Sequence, residues 1–93
     1  MLQISVPKYY VVKRGQTVKE IAFAFGVAVG LLIKENALKK EPYAGQRLII
    51  PTERGDRYVA QAGDEKTVLC GSDETYYKKN GTHILYPGMS VIL

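Results

Sequence analysis

The chain has 93 residues, 46% of them hydrophobic and 24% charged, with a formal charge of +4. That length holds one ordinary domain or two very small ones, and the composition excludes a disordered or low-complexity polypeptide. Cys70 is the only cysteine, which excludes an internal disulfide and a thiolate metal cage.

Met1 to Tyr10 carries no apolar core segment and no small-residue cleavage site, so no signal peptide is read there; residues 1–8 read as an N-terminal extension. Tyr9 to Lys13 is aromatic and β-branched, which suits a strand, and Gly15-Gln16 turns the chain. Thr17-Val18-Lys19-Glu20 is a capping box. Val18, Ile21, Ala22 and Phe25 then fall on one helical face, and Gly26 supplies a left-handed residue to end that helix. A second short helix is predicted from about Ala28 to Glu35, with Val29, Leu32 and Ile33 inward and Asn36 as its left-handed terminator. The uncharged run Ile21 to Ile33 is about 13 residues, too short to span a bilayer and more typical of buried core, so no membrane insertion is expected. Gly26 and Gly30 form a GxxxG spacing that carries little weight outside a membrane helix. Pro42-Tyr43-Ala44-Gly45 is turn chemistry, Arg47 to Ile50 is a closing strand, and Pro51 ends it.

Internal repetition is the next signal. Tyr10 to Gly15 and Tyr58 to Gly63 share the spacing Tyr-x-x-x-x-Gly, and Asn36 and Asn80 each close a polar, Lys-containing stretch. Gly45 and Gly88 then precede Arg47-Leu48-Ile49-Ile50 and Ser90-Val91-Ile92-Leu93. The divisions read as a first repeat over 9–52, a linker over 53–57 and a shorter second repeat over 58–93. In the second, a strand covers Tyr58 to Gln61. Asp64 or Glu65 caps a short helix carrying Val68 and Leu69 and stopped by Gly71. Ser72 or Asp73 caps another helix, closed by Asn80-Gly81. Tyr86-Pro87-Gly88-Met89 fits a type II turn before a strand over Met89 to Leu93.

The order Tyr10, Val12, Gly15, Thr17-Val18, Ile21-Ala22, Gly26-Val27, Leu32, Asn36, Gly45-Gln46, Leu48 and Ile50-Pro51 resembles the lysin motif (LysM) family almost from end to end. Gln16 stands where the family usually has Asp. Residues 58–93 resemble it more weakly, through Tyr58, Gly63-Asp64, Asn80 and Gly88-Met89-Ser90-Val91-Ile92; Glu65 replaces the usual Thr, and the first helix is short by about one turn. The resemblance implies an α+β fold of tandem βααβ repeats, each a two-stranded antiparallel sheet with two short helices on one side. It also implies a non-catalytic module that binds N-acetylglucosamine-containing glycans, peptidoglycan ahead of chitin because the chain is cysteine-poor. Carried over residue by residue, the glycan-binding positions are Gly15, Gln16, Thr17 and Val18 with Ala37, Leu38, Lys39 and Lys40, and Pro42 and Tyr43 behind them. A possible second site is Asp64, Glu65 and Lys66 with Gly81, Thr82, His83 and Ile84. An N-acetyl sugar suits a slot with polar walls and a small apolar floor; Gln16 and Thr17 offer the polar groups, and Val18 and Leu38 the floor.

Other roles for these residues compete with sugar contact. Thr17 and Glu20 read first as a helix cap, Tyr43 and Tyr86 as turn packing, His83 as a lone surface histidine and Cys70 as a small buried residue. Arg54-Gly55-Asp56 resembles an integrin-type tripeptide and Asn80-Gly81-Thr82 a glycosylation sequon; both are too short to carry a function. There is no nucleophile paired with a base, no phosphate loop, and no metal-ligand or cofactor motif. Carboxylates such as Glu41 and Glu53 have no deep cleft to perturb them. The 13 Lys and Arg, against 9 Asp and Glu, are spread along the chain without aromatic interleaving, so no nucleic-acid partner is expected. The competing function is a structural or assembly protein of the spore-coat or phage-tail type, which would use the same fold for protein contacts. A cell-wall, spore or phage location follows only from the glycan reading.

Overall fold

The structure, a computed structural model, describes residues 8–93; the expected extension over 1–8 therefore falls, for residues 1–7, outside the described residues. The element order is β1 (Tyr9–Val11), α1 (Val18–Phe25), α2 (Val29–Glu35), β2 (Arg47–Ile49), β3 (Arg57–Val59), α3 (Lys66–Cys70), α4 (Asp73–Asn80) and β4 (Ser90–Ile92). β1 pairs antiparallel with β2, setting Tyr10 opposite Leu48, and β3 pairs antiparallel with β4, setting Tyr58 opposite Val91. The fold is thus α+β, with two sheets of two strands and short helices, and the βααβ order occurs twice. No helix among the described residues is long and apolar enough to cross a membrane.

The hydrogen bonds repeat as well as the elements. The Val12 amide donates to the Gln46 carbonyl at 2.8 Å, and the Ala60 amide donates to the Met89 carbonyl at 2.8 Å. The Tyr10 hydroxyl and the Lys13 amide donate to Oε1 of Gln16 at 2.7 and 2.8 Å. In the second unit the Tyr58 hydroxyl and the Gln61 amide donate to Oδ2 of Asp64, each at 2.7 Å. Gln16 therefore does with a neutral carboxamide what Asp64 does with a charged carboxylate. These bonds hold the Asp64 carboxyl below its ordinary range, the Tyr58 hydroxyl contributing most, and the same bond pushes the Tyr58 pKa up.

In the first unit, Val12, Ile21, Ala22, Val27, Leu32, Leu48 and Ile50 form the buried core, with Phe25 and Val29 packed at its edge. Thr17 caps α1 by accepting from the Glu20 amide, as the capping box requires, although Glu20 reaches back to the Thr17 hydroxyl rather than to its amide. Asn36 departs from expectation. Its φ is −110°, and the left-handed residue is Ala37 at 49°. The Asn36 side chain instead bridges two elements. Its Nδ2 donates to the carbonyls of Leu32 and Ile49, and its Oδ1 accepts the Ile49 amide at 2.7 Å. Asn80 repeats this with the Tyr76 and Ile92 carbonyls and the Ile92 amide. Each carboxamide ties the end of a helix to the closing strand.

The second unit is filled differently. Tyr76, fully buried, takes the place of Leu32, and its hydroxyl donates to the Ile84 carbonyl at 2.7 Å; burial is the main reason its pKa is pushed up to about 12. Val68, read together with Leu69 as carried by this helix, is 78% exposed, whereas Leu69 and Cys70 of the five-residue α3 are half-buried. Glu65 is the N-cap of α3 without a side-chain bond, while Ser72 caps α4 by accepting from the Thr75 amide.

The two units share an interface for which the sequence holds no local signal. Ala28 and Leu31 of the first unit form a buried cluster with Ile92 of the second. A Cβ added at Gly30 would overlap the Asn80 carbonyl oxygen, and one at Gly81 would lie 2.6 Å from the Leu31 Cα. Gly30 is thus a packing residue, although its GxxxG spacing carries little weight in the sequence. Arg57, placed in the linker by the sequence and found at the start of β3, donates to the Val27 carbonyl at 2.8 Å and the Ala22 carbonyl at 3.3 Å. Its guanidinium lies 3.9 Å from the centre of the Phe23 ring.

Asn80→Ala should cost about 2–3 kcal/mol in urea denaturation, because buried strand and helix groups lose their partners; the half-exposed Asn36→Ala should cost less, since water can replace its bonds. Gly30→Ala, which in an ordinary helix gains about 0.5–1 kcal/mol, should instead destabilise by about 1–3 kcal/mol through overlap with α4. The lowered Asp64 pKa adds stability that is complete above the unfolded value of about 3.9 and is lost as pH falls through the folded value. Asp64→Asn should flatten that part of the acid denaturation profile, whereas Gln16→Asn should leave it unchanged.

Candidate functional site

In each unit two turns are brought to the same end by the paired strands: the one after the first strand and the one after the second helix. In the first unit a single side chain joins them. Oε1 of Glu41 accepts the backbone amide of Val18 at 2.8 Å. With Thr17 taking the Glu20 amide, two of the free donors at the start of α1 are satisfied, and the anion sits where the helix dipole favours it. In the sequence Glu41 is only a carboxylate without a cleft. Its reach across 23 positions leaves no local signal, and only contact between the turns reveals it.

The candidate residues Gly15, Gln16, Thr17 and Val18 lie in the first of these turns, and Ala37, Leu38, Lys39 and Lys40 in the second. Val18 and Leu38 pack against the core of the first unit and are half-buried, while Lys39 and Lys40 are exposed. Gln16 is less available than expected, because its Oε1 is held by Tyr10 and Lys13. Among the described residues its Nε2 makes no hydrogen bond and is the group left to face outward. Tyr43 is 66% exposed rather than packed on its turn. Pro42 beside it is buried.

The second unit has an open cavity of about 410 Å³ at the equivalent place, lined by Asp64, Glu65, Lys66 and Thr67 on one side and His83 and Leu85 on the other. Here the bridge is Lys66, whose Nζ donates to the His83 carbonyl at 3.0 Å. His83 is exposed and stacks on Tyr77 at 4.3 Å between ring centres, so it is not an isolated surface group. The remaining candidates point elsewhere: Gly81, Thr82 and Ile84 line a separate cavity between the two units. The two sets alternate along the loop: Thr82 and Ile84 line this cavity, and His83 and Leu85 line the other. Tyr86, expected to pack on its own turn, is likewise directed to that second cavity and is half-exposed.

No group of three or more His, Cys, Asp or Glu residues among those described is arranged to hold a metal. Cys70 is half-buried rather than fully buried. Its Sγ lies 4.0 Å from the Ile92 carbonyl, and burial pushes its thiol pKa up, away from a reactive thiolate.

The chain resembles known proteins in one case over its first unit and in others over most of its length. No curated protein matches it. The crystal structure of the spore cortex-lytic enzyme SleL from Bacillus megaterium QM B1551 is similar over 91% of this chain and 22% of its own, with 28% identity and a TM-score of 0.45. SleL from Bacillus cereus matches over the same shares at 24% identity, also with a TM-score of 0.45. This chain thus spans less than a quarter of either enzyme. The model of the LysM domain matches residues 10–51, the span that holds β1, α1, α2, β2 and the Glu41 bridge. Residues 10–51 of this chain are therefore a LysM domain.

Proposed function

We propose that the chain is a non-catalytic carbohydrate-binding protein that recognises N-acetylglucosamine-containing glycans, with peptidoglycan preferred over chitin. A LysM domain is a binding module of this kind rather than a catalytic one. In the same reading, residues 58–93 are a second, shortened LysM repeat. The observation that supports the proposal is the bridge from Glu41 to the Val18 amide, which ties together the two turns that flank the sugar slot in this reading. Its walls offer backbone polar groups, the Thr17 hydroxyl and the Gln16 amide nitrogen. Its base is the apolar edge of Val18 and Leu38, suited to an acetyl methyl.

Such a site has few contacts, so a single repeat binds weakly, in the range of about micromolar to millimolar. Two repeats on one chain raise the effective affinity for a polymer by local concentration. The second slot, with Asp64, Glu65, Lys66, Thr67 and His83, supports a contribution of its own.

Titration of the full chain with N-acetylglucosamine tetramer, followed through backbone amide shifts, tests this directly. Shifts are expected at Gln16 to Val18 and at Ala37 to Glu41. Glu41→Ala should weaken binding about three- to tenfold, equivalent to roughly 0.7–1.4 kcal/mol, with the fold intact. If neither the tetramer nor insoluble peptidoglycan or chitin is bound, glycan recognition is wrong.

A further inference from the structure

Between the two units lies a cavity of about 550 Å³, larger than the second-unit slot and walled off from it by the segment 82–86. Its lining includes Phe23, Val29 and Ile33 from the first unit and Ile84, Tyr86 and Met89 from the second. Phe23, Ile84 and Tyr86 are 43%, 63% and 55% exposed, so a large apolar group of α1 and two of the loop between α4 and β4 converge on one opening. A surface of this kind marks an interaction site more often than scattered apolar residues do.

The charges are one-sided. Lys19 and Lys34 line the cavity, and no Asp or Glu does. Neither lysine has a carboxylate partner among the described residues; Lys19 lies 5.8 Å from the centre of the Phe23 ring and Lys34 4.3 Å from that of Tyr77. A neutral sugar chain leaves both cations unanswered and has too little apolar surface for the walls. An occupant that matches carries a bulky apolar group between negative charges.

We infer that this cavity is a docking site for a protein segment that inserts an aromatic or branched aliphatic side chain flanked by Asp or Glu. The volume lies within the range that accommodates a few side chains, about 300–1,000 Å³. The anchor sits against Phe23, Ile84 and Tyr86, and the flanking carboxylates meet Lys19 and Lys34. Because the site is built from both units, only their fixed arrangement at Gly30 and Gly81 creates it. It goes beyond glycan recognition and needs none of the residues of the first sugar slot.

The decisive experiment is selection of a displayed library of random heptapeptides on the immobilised full chain. Enrichment of sequences with an aromatic or branched aliphatic residue beside Asp or Glu is expected. The selected peptide, made synthetically, should shift the amides of Phe23, Ile84 and Tyr86. Lys19→Glu with Lys34→Glu should weaken that peptide by on the order of tenfold or more. The same variant should keep its amide spectrum and its first-unit response to N-acetylglucosamine tetramer. No enrichment, enrichment without acidic residues, or binding indifferent to the charge reversal would each overturn the inference. So would tetramer-induced shifts centred on Phe23, Ile84 and Tyr86, which would give the cavity to the glycan. Failure of the tetramer to shift Gln16 to Val18 would refute glycan recognition alone and leave the peptide result standing.

Discussion

Asn80 joins the molecule in two ways at once. Its side chain holds the end of α4 to β4 through the Tyr76 carbonyl and both polar groups of Ile92. Its own carbonyl lies against Gly30 of the first unit. The residue is almost fully buried, and every one of those bonds is made where water cannot substitute. A carboxamide is suited to this position because it offers a donor and an acceptor side by side, matching the N–H and C=O of one strand residue. Aspartate would lack the donor, and glutamine would hold the same groups one methylene further out. The clamp fixes where α4 ends, and that in turn fixes where its last carbonyl meets α2.

The consequence is a shared core. A repeat of about 45 residues lies near the lower limit for stable folding alone, and the second unit is smaller still, with a helix of only five residues. Ala28, Leu31 and Ile92 bury surface that neither unit could cover by itself. Arg57 completes the contact from the polar side: burial lowers its pKa, and carbonyl oxygens of the first unit accept its hydrogen bonds. The Ala22 carbonyl lies in the last turn of α1, where the helix dipole favours a cation, and Val27 follows the Gly26 cap. The shorter second unit is thereby held against the first.

How much of this is legible in the sequence follows from the range of each interaction. The elements of the first unit can be read because their signals are local: the periodic Val18, Ile21, Ala22 and Phe25, the Thr17 cap, and Gly26. The repetition is visible through Tyr10 and Tyr58 and through Asn36 and Asn80, although the reason for each asparagine is not. A helix terminator and a strand clamp look identical in sequence, and the strand lies more than ten residues away. The same limit hides Glu41, Gly30 and Arg57, whose partners are on other elements. It also explains the split of the second candidate set: a loop that reads as one wall alternates between two cavities. His83 and Leu85 face one cavity, and Thr82, Ile84 and Tyr86 face the other.

Set side by side, the two slots agree in backbone and disagree in charge. Tyr10 with Gln16 matches Tyr58 with Asp64 bond for bond. Around these bonds, the turn after α2 carries Lys39, Lys40 and Glu41, whereas the cavity of the second unit is lined by Asp64, Glu65, Lys66 and Asp73 with His83. A ligand recognised through charge would be welcome in one slot and repelled from the other. A ligand recognised through turn amides, carbonyls and a small apolar base can use both, because those are the features the units hold in common. Neutral N-acetylated sugars belong to the second class, whereas the inter-unit cavity, whose lysines have no carboxylate partner among the described residues, suits the first.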